Sequence, residues 1–462
     1  MEKTLNSSGL DALKQRSRSW LLRNVILPFG DLALGQRMMK RLRFLEEAQW
    51  WDPQRLHALR NSSLTSLMEI AYREVPFYRE LMDQAGVKSS DIRSPEDLCK
   101  LPIVTKQMLR SAYPHRTTRD TGMKTFEACS SGSTGTNFCV REDPATTGWH
   151  RASFLLALEW AGWQIGEAHL QTGMTLKRSK DRWLKDILLQ CHYVSAFDLG
   201  DSQLDLSLDL LESHSLQHLW GYPGSLYVLA RRALERGWNQ PLRSVVTWGD
   251  NLYPEYRKTI ESAFRTRVFD TYGCGEGIQV AAQCGCANTY HLHTLDVVVE
   301  HLDDKGHPVQ PGESGNLILT RLHAGPMPLI RYQVGDVGIR ESEKLCACGR
   351  GYDVMGSIQG RDTDIVITPS GNRLIVHFFT GVLEHFPEID SFQVVQEELG
   401  EMLLRLKPAT GFSKESAARI VSNLKEKGAS DIAIKIELVT EIPLPPSRKR
   451  RFVVSTVAKP FV

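Results

Sequence analysis

The chain has 462 residues, of which 42% are hydrophobic and 24% charged, so its length and composition predict a globular protein of two or three domains. Its 56 basic and 54 acidic residues leave a formal net charge of +2, which excludes nucleic-acid binding through bulk charge. No run reaches the roughly 18 apolar residues of a transmembrane helix, and charged residues near the N-terminus exclude a secretory signal. We therefore expect a cytoplasmic protein whose nine cysteines are reduced and available to bind metal.

Residues 1–100 are predicted to be mostly helical. Apolar residues recur at helical spacing over 56–75, and Pro76 ends that run. Ser94 and Pro95 are typical of the start of another short helix, with the serine as its cap. We expect this region to form the helical N-terminal part of a large domain.

Residues 19–35 are the most apolar segment of this region. Arg23, Pro28 and Asp31 interrupt the run, so it does not have the pattern of a transmembrane helix. A buried helix followed by a turn is the favoured interpretation. The alternative is contact with a membrane surface, assisted by the nearby basic residues Arg37, Lys40, Arg41 and Arg43.

Residues 101–359 alternate strand-like and helix-like patterns, which favours an α/β core with layers of helices around a sheet. Residues 244–247 and 267–270 are predicted strands around a helix at 253–264, and a β-rich section follows near 296–320. Residues 360–366 are the predicted hinge. Residues 367–462 have a β-β-α-β pattern and predict a small, mobile α+β domain.

A run of small residues follows a predicted strand at residues 126–129. Glycines let backbone N–H groups turn inward and hydroxyls add donors, so such a loop can surround a triphosphate. The run lacks the lysine of a P-loop, and by itself it is also compatible with a flexible turn. Its candidate ATP-binding residues are Ser131, Gly132, Ser133, Thr134 and Gly135.

Three further segments follow this loop in order: 270–276 (DTYGCGE), 331–336 (RYQVGD) and 360–364 (GRDTD). Together with 75–78 (VPFY) and 101–106 (LPIVTK), the set resembles the acyl-adenylate-forming enzymes. Within that superfamily the chain is most similar to the phenylacetate–coenzyme A ligases and their capsule-biosynthesis relatives. The resemblance spans nearly the whole chain.

The resemblance implies roles in ATP binding for several residues. Tyr272, followed by Gly273, would lie against the adenine. Glu276 would hold Mg²⁺, because a hard cation prefers carboxylate oxygen. Asp336 would accept hydrogen bonds from the ribose hydroxyls, and Arg361 would contact the ribose or phosphates. Asp250 stands where the family has a glutamate near the adenine, so its shorter side chain departs from the pattern.

The resemblance also assigns the C-terminal segment 446–452 (PSRKRRF) to a catalytic loop. Lys449 would stabilise negative charge on the α-phosphate during adenylation, as Glu276 does through its metal. Arg448 stands in place of the family glycine, and a solvated basic patch is the alternative interpretation. The domain rotation of the family places the hinge at Thr363.

The segment 220–225 (WGYPGS) resembles the acyl-pocket segment of the family. Tyr222, Cys274 and Gly275 are therefore the expected walls of that pocket. The family favours an aromatic acid as substrate, and coenzyme A or a carrier thiol as the acyl acceptor. A homodimer is compatible with this interpretation, and no nucleic acid or transmembrane segment is expected.

Cysteine and histidine pairs are concentrated in the second half of the chain and suggest a closed, structural zinc site. The preferred ligands are Cys286, His293, Cys346 and Cys348. A shifted set with Cys284 and His291 is the alternative, and scattered buried thiols are the non-metal interpretation.

The predicted activity is conversion of a carboxylic acid to acyl-AMP followed by acyl transfer. Two other functions are retained. The first is an adenylyltransferase that leaves AMP on its substrate. The second is a catalytically decayed polysaccharide-assembly protein, which the departures at Asn137 and Arg448 favour.

Overall fold

The computed structural model describes residues 15–130, 138–173, 180–196, 201–249, 251–342, 344–361, 366–370, 373–374, 379, 382–383, 386, 388–442 and 453–457. Within these ranges no helix is both long and apolar enough to cross a membrane. Seven cysteines are free, whereas Cys139 is disulfide-bonded, which differs from the expectation that the cysteines are reduced.

The N-terminal part is helical, as predicted. Residues 15–34 are helical throughout and include a π-helical turn at Leu22–Ile26. The helices that follow begin at residues suited to the first turn: Asp52 caps one helix, and Pro53, Pro76 and Pro95 stand at N-termini where a missing N–H costs little. The α-helices of this part are α1 (Leu27–Leu34), α2 (Met38–Ala48), α3 (Pro53–Glu74), α4 (Pro76–Ala85) and α5 (Lys106–Ala112). Short 3₁₀ helices lie at Ser89–Asp91 and Pro95–Lys100.

A two-stranded hairpin brackets the small-residue run. Strands β1 (Phe126–Ser130) and β2 (Phe138–Glu142) are antiparallel, and Ser130 pairs with Phe138. Residues 131–137 connect the two strands and lie outside the described residues.

An 11-stranded mixed sheet forms the centre of the large N-terminal domain. One half is parallel, with helices between its strands: β3 (His169–Gly173), β4 (Cys191–Ser195), β5 (His218–Gly221), β6 (Ser244–Thr247) and β7 (Val268–Cys274). The other half is antiparallel: β8 (Ile278–Gln283), β9 (Tyr290–Leu292), β10 (Val297–Leu302), β11 (Ser314–Arg321), β12 (Tyr332–Arg340) and β13 (Val354–Arg361). Strand β7 joins the two halves, since it is parallel to β6 and antiparallel to β8.

The helices of this domain cover the sheet and bury its apolar strands, as expected for an α/β fold. Strands β5 and β6 are buried along their whole length, so both faces of the parallel half are covered. The helices are α6 (Pro144–Trp160), α7 (Lys180–Leu188), α8 (Asp201–Ser213), α9 (Pro223–Glu235) and α10 (Pro254–Phe264).

A smaller C-terminal domain has its own four-stranded sheet, whose strands lie in the spatial order Ala433–Leu438, Glu401–Pro408, Ile389–Gln396 and Val453–Ser455. Its elements are β14 (Val366–Ile367), β15 (Arg373–Leu374), β16 (Ile389–Gln396), β17 (Glu401–Pro408), α11 (Lys414–Leu424), a π-helical turn at Lys425–Ala429, β18 (Ala433–Leu438) and β19 (Val453–Ser455). The predicted fold class, a large α/β domain followed by a small α+β domain, is confirmed. The predicted domain boundaries stay predictions.

Candidate active site

The site is built around the turn that joins β7 to β8. Strand β7 carries Tyr272, Gly273 and Cys274 to the end of the sheet, and Gly275, Glu276 and Gly277 form the turn. Gly277 has φ +77, a left-handed conformation that favours glycine. A Cβ at this position would also lie 3.3 Å from the carboxyl group of Glu142, so the turn packs closely against β2.

Tyr272 and Asp336 are brought together although 64 residues separate them. The hydroxyl of Tyr272 donates to Oδ2 of Asp336 at 2.7 Å, and both side chains are buried. In the antiparallel pairing of β12 with β13, Asp336 stands directly opposite Arg361. Tyr272 and Asp336 are therefore in direct contact, and the backbone of Arg361 lies next to Asp336.

Glu276 lies beside them and is only 2% exposed. The hydroxyl of Tyr332 donates to its Oε1 at 2.6 Å, and Nζ of Lys106 lies 3.3 Å from the same oxygen. Burial raises the pKa of Glu276, but Lys106 and the Tyr332 hydroxyl outweigh that effect and hold the pKa below its usual value. Glu276 is therefore an ionised carboxylate at neutral pH.

Cys274 lies next to this carboxylate. Burial, followed by the negative charge of Glu276, raises the pKa of the thiol well above its usual value. The thiol is therefore protonated at neutral pH, and a thiolate nucleophile at this position is disfavoured.

Tyr222 immediately precedes α9, at the carboxyl end of β5. Its ring lies against Gly249, where a Cβ would be 2.9 Å from the ring carbon Cε1. Gly249 has φ +74, so both its conformation and its contact with Tyr222 favour glycine. The tyrosine is thus adjacent to the segment that leads to Asp250.

Some predicted site residues lie outside the described residues: Ser131, Gly132, Ser133, Thr134, Gly135, Asp250, Thr363 and Lys449. The backbone of Arg361 is described as part of β13, but its side chain is not. Conversely, Lys106 and Tyr332 contact Glu276 and had no predicted role, although both belong to the segments that carry the family resemblance.

A second cluster contains three cysteines and a histidine. One ligand atom from each of Cys284, His291, Cys346 and Cys348 lies within 4.8 Å of every other. Cys284 Sγ lies 3.6 Å from Cys346 Sγ, and Cys348 Sγ lies 3.3 Å from His291 Nε2. A tetrahedral zinc ion with bonds of about 2.3 Å to sulfur separates its ligand atoms by roughly 3.8 Å, so the donor set fits zinc.

This cluster corrects two of the preferred zinc ligands. Cys286 is exposed beyond the end of β8, and its side chain is not part of the cluster, whereas Cys284 is buried. His293 follows β9 and stacks on Trp160, with ring centroids 5.5 Å apart. Cys284, just after β8, and His291, in β9, are the members of the two close pairs that lie near Cys346 and Cys348. The cluster therefore contains the alternative ligands Cys284 and His291.

Comparison with known proteins places these features in a family context. The family described as the CapK C-terminal domain matches residues 366–456. The phenylacetate-coenzyme A ligase of Thermus thermophilus is 26% identical to this chain and covers 80% of it and 85% of its own length. Protein CapK of Staphylococcus aureus is 20% identical over 87% of this chain and 90% of its own length.

A solved structure of a 2-hydroxyisobutyryl-CoA ligase, in the postadenylation state with R3-HIB-AMP, matches with a TM-score of 0.70. The two sequences are 17% identical, and the match covers 89% of this chain and 92% of that chain. At this identity the likeness shows a shared fold.

Proposed function

Because the chain is a phenylacetate–coenzyme A ligase-like and CapK-like adenylate-forming enzyme, we propose that it uses ATP to activate a carboxylic acid as acyl-AMP and then transfers the acyl group to coenzyme A. The observation that carries this proposal is the convergence of Tyr272, Glu276 and Asp336: Tyr272 donates to Asp336, and Glu276 accepts from Tyr332, which lies on the same strand as Asp336. A flat aromatic ring, an ionised carboxylate and a second carboxylate are the groups that an adenosine phosphate with its cation requires.

In this proposal a substrate carboxylate oxygen attacks the α-phosphorus of ATP, and the bond to pyrophosphate breaks. The product is a mixed anhydride, from which AMP can later leave when a thiolate attacks the acyl carbon. The protein contributes position and charge stabilisation, and no covalent enzyme intermediate is needed. The protonated state of Cys274 agrees with such a mechanism.

Each residue has a distinct role in the proposal. Asp336 binds the ribose, with Tyr272 oriented by its hydrogen bond to that carboxylate. Glu276 is the ligand for Mg²⁺, which would neutralise phosphate charge when bound. The remaining roles are those of the family: phosphate binding by residues 131–135, adenine contact by Asp250, ribose or phosphate contact by Arg361, and charge stabilisation by Lys449, with Thr363 as the hinge.

The test is pyrophosphate exchange into ATP in the presence of a library of carboxylic acids. Acid-dependent exchange, followed by formation of an acyl-coenzyme A product, is the expected result. Mass spectrometry that finds AMP retained on the product would instead indicate an adenylyltransferase. Nucleotide binding without exchange for any acid would contradict the proposal and favour the decayed assembly protein.

A buried ion pair near the expected acyl pocket is proposed to influence which carboxylic acid the protein prefers. Arg321 Nη1 donates to Oε1 of Glu142 at 2.6 Å, and the two residues are 2% and 3% exposed. Burial lowers the pKa of Arg321, but Glu142 and then Asp296 more than compensate and raise it. The carboxyl group of Glu142 would lie 3.3 Å from a Cβ at Gly277, in the turn that also contains Gly275, so the pair lies beside the expected pocket wall. Nε of Arg321 has no hydrogen-bond partner among the described residues. We infer that the pocket suits an acid with a polar group, such as a hydroxyl.

Replacing this pair by apolar residues, Glu142→Leu with Arg321→Met, is expected to shift acid preference at least ~10-fold towards unsubstituted hydrocarbons, because polar pocket groups discriminate against substrates that leave them unpaired. Acid preference is measured as the ratio of the pyrophosphate-exchange rate with a hydroxylated aromatic acid to the rate with its unsubstituted counterpart. Glu300→Gln, in the separate buried pair of Glu300 with Arg331, is the control. An unchanged ratio would show that the Glu142–Arg321 pair stabilises the fold and does not affect acid preference.

The cysteine–histidine cluster is proposed to hold one structural zinc ion. Four protein donors complete the coordination of zinc, so no position is left for a substrate. Cys284→Ser is expected to reduce zinc content far below one equivalent and to lower the melting temperature, because a structural zinc ion stabilises the fold it crosslinks. Cys286→Ser, only two residues away, is the matched control and should retain the metal. Equal zinc content in both variants would reject the ligand set.

A further inference from the structure

The N-terminal helical segment exposes an unusual concentration of large apolar side chains. Of the 18 such side chains that are exposed in the described part of the chain, nine lie in residues 15–34 and in α7. Phe29 and Leu32 are 76% and 77% exposed, and Trp183 is 60% exposed. We call these nine the apolar patch: Trp20, Leu21, Val25, Phe29, Leu32, Leu34, Trp183, Leu184 and Ile187.

The two parts of the apolar patch are neighbours. Nη2 of Arg18 donates to the carbonyl oxygens of Ile187 and Leu188, at 3.1 and 2.9 Å. The end of α7 is thereby held against the helical residues that precede Trp20. The end of α7 therefore lies beside the N-terminal end of the helical segment.

The inner side of the N-terminal segment is well packed. Leu22 is buried against the core formed with α2, and a Cβ at Gly166 would approach its Cδ1 to 2.7 Å. Arg23 pairs with Glu46 and with Glu159 on α6. Because this side is fixed to the domain, the opposite side faces solvent as a consequence of folding. The expected buried helix is thus only half buried, which corrects the favoured interpretation of residues 19–35.

Charge around the patch is strongly positive. Residues 15–43 contain seven basic residues and one acidic residue, a formal charge of +6, and α7 contains three basic and two acidic residues, a charge of +1, whereas the whole chain carries +2. The acidic residue, Asp31, is buried and accepts a hydrogen bond from the backbone N–H of Met39. Exposed basic residues therefore border the apolar side chains: Arg16, Arg37, Lys40 and Arg43.

We propose that the apolar patch and its basic border bind the surface of an anionic lipid bilayer. Apolar helix faces with exposed tryptophans insert at the headgroup level, while lysine and arginine attract anionic lipids. The 20 helical residues of the segment span about 30 Å, enough to lie flat along a surface. A symmetric contact with a second copy would bring two strongly basic surfaces together, so charge favours the bilayer over a dimer.

The test is co-sedimentation of the full chain with vesicles. Vesicles containing about 30% phosphatidylglycerol in phosphatidylcholine are expected to bind at least ~10-fold more protein than phosphatidylcholine alone, and high salt should weaken the binding. The double variant Phe29→Glu with Leu32→Glu should lose this binding. Leu399→Glu, which changes an exposed leucine of the C-terminal domain, is the matched control and should bind like the wild type.

Melting temperature is measured for both variants, so that loss of binding is separated from loss of folding. Absence of sedimentation with anionic vesicles would overturn the proposal, as would equal binding by the double variant. A dimer detected by sedimentation velocity, and abolished by the same double variant, would assign the patch to a second copy of the chain and would also overturn it.

Discussion

Glu276→Gln is expected to lower acid-dependent pyrophosphate exchange by at least ~100-fold, since it removes the carboxylate proposed to bind Mg²⁺ next to the phosphates. The amide has nearly the same shape and can still accept the hydrogen bond from Tyr332, so the local packing should survive. Exchange is measured as a function of Mg²⁺ concentration, with the acid that is most active in the wild type.

The matched control is Glu300→Gln, because Glu300 is also a largely buried carboxylate in an ion pair. It should keep exchange within a few-fold of the wild type. If Glu276→Gln has a normal melting temperature and exchanges pyrophosphate as fast as the control, then Glu276 stabilises Lys106 and Tyr332 and has no part in the chemistry.

Lys449→Ala is expected to reduce adenylation by about 100- to 1,000-fold, the range observed when one preorganised charge-stabilising group is removed from a transition state. Its ammonium group is proposed to stabilise negative charge on the α-phosphate as the acyl oxygen attacks. Lys449 lies outside the described residues, so this prediction depends on the sequence of the terminal segment and on the family resemblance. The measurement is single-turnover formation of acyl-AMP.

The neighbouring residue Arg450 tests the register of this loop. Arg450→Ala should leave adenylation within a few-fold of the wild type, because the family resemblance assigns the catalytic cation to Lys449 and gives Arg450 no role. Loss of activity in Arg450→Ala with normal activity in Lys449→Ala would show that the catalytic cation is one residue further along the chain.

The local pattern of apolar residues and prolines was sufficient to predict many of the strands and helices. The apolar run at 244–247 is β6, and the amphipathic stretch at 253–264 corresponds to α10, Pro254–Phe264. These elements follow from local periodicity and from the conformational limits of proline, which require no knowledge of distant contacts. The order of short motifs along the chain likewise indicates the family, because that order does not depend on the tertiary structure.

Local sequence patterns do not predict contacts between residues that are far apart in the chain. Lys106 reaches Glu276 across 170 residues, and Arg321 pairs with Glu142 across 179. In both cases each residue, viewed alone, looks like an ordinary surface charge. Only the tertiary packing of α5 and β2 against the central sheet brings Lys106 to Glu276 and Glu142 to Arg321.

The sequence by itself determined the α/β class, the positions of many strands and helices, and the presence of a cysteine–histidine cluster. The tertiary structure decided which cysteine and histidine of each close pair join that cluster, and it left one face of residues 15–34 in solvent. The physical reason is the same in both cases. Periodicity states which side chains share a face, but the packing of the rest of the chain decides whether that face meets protein, metal or water.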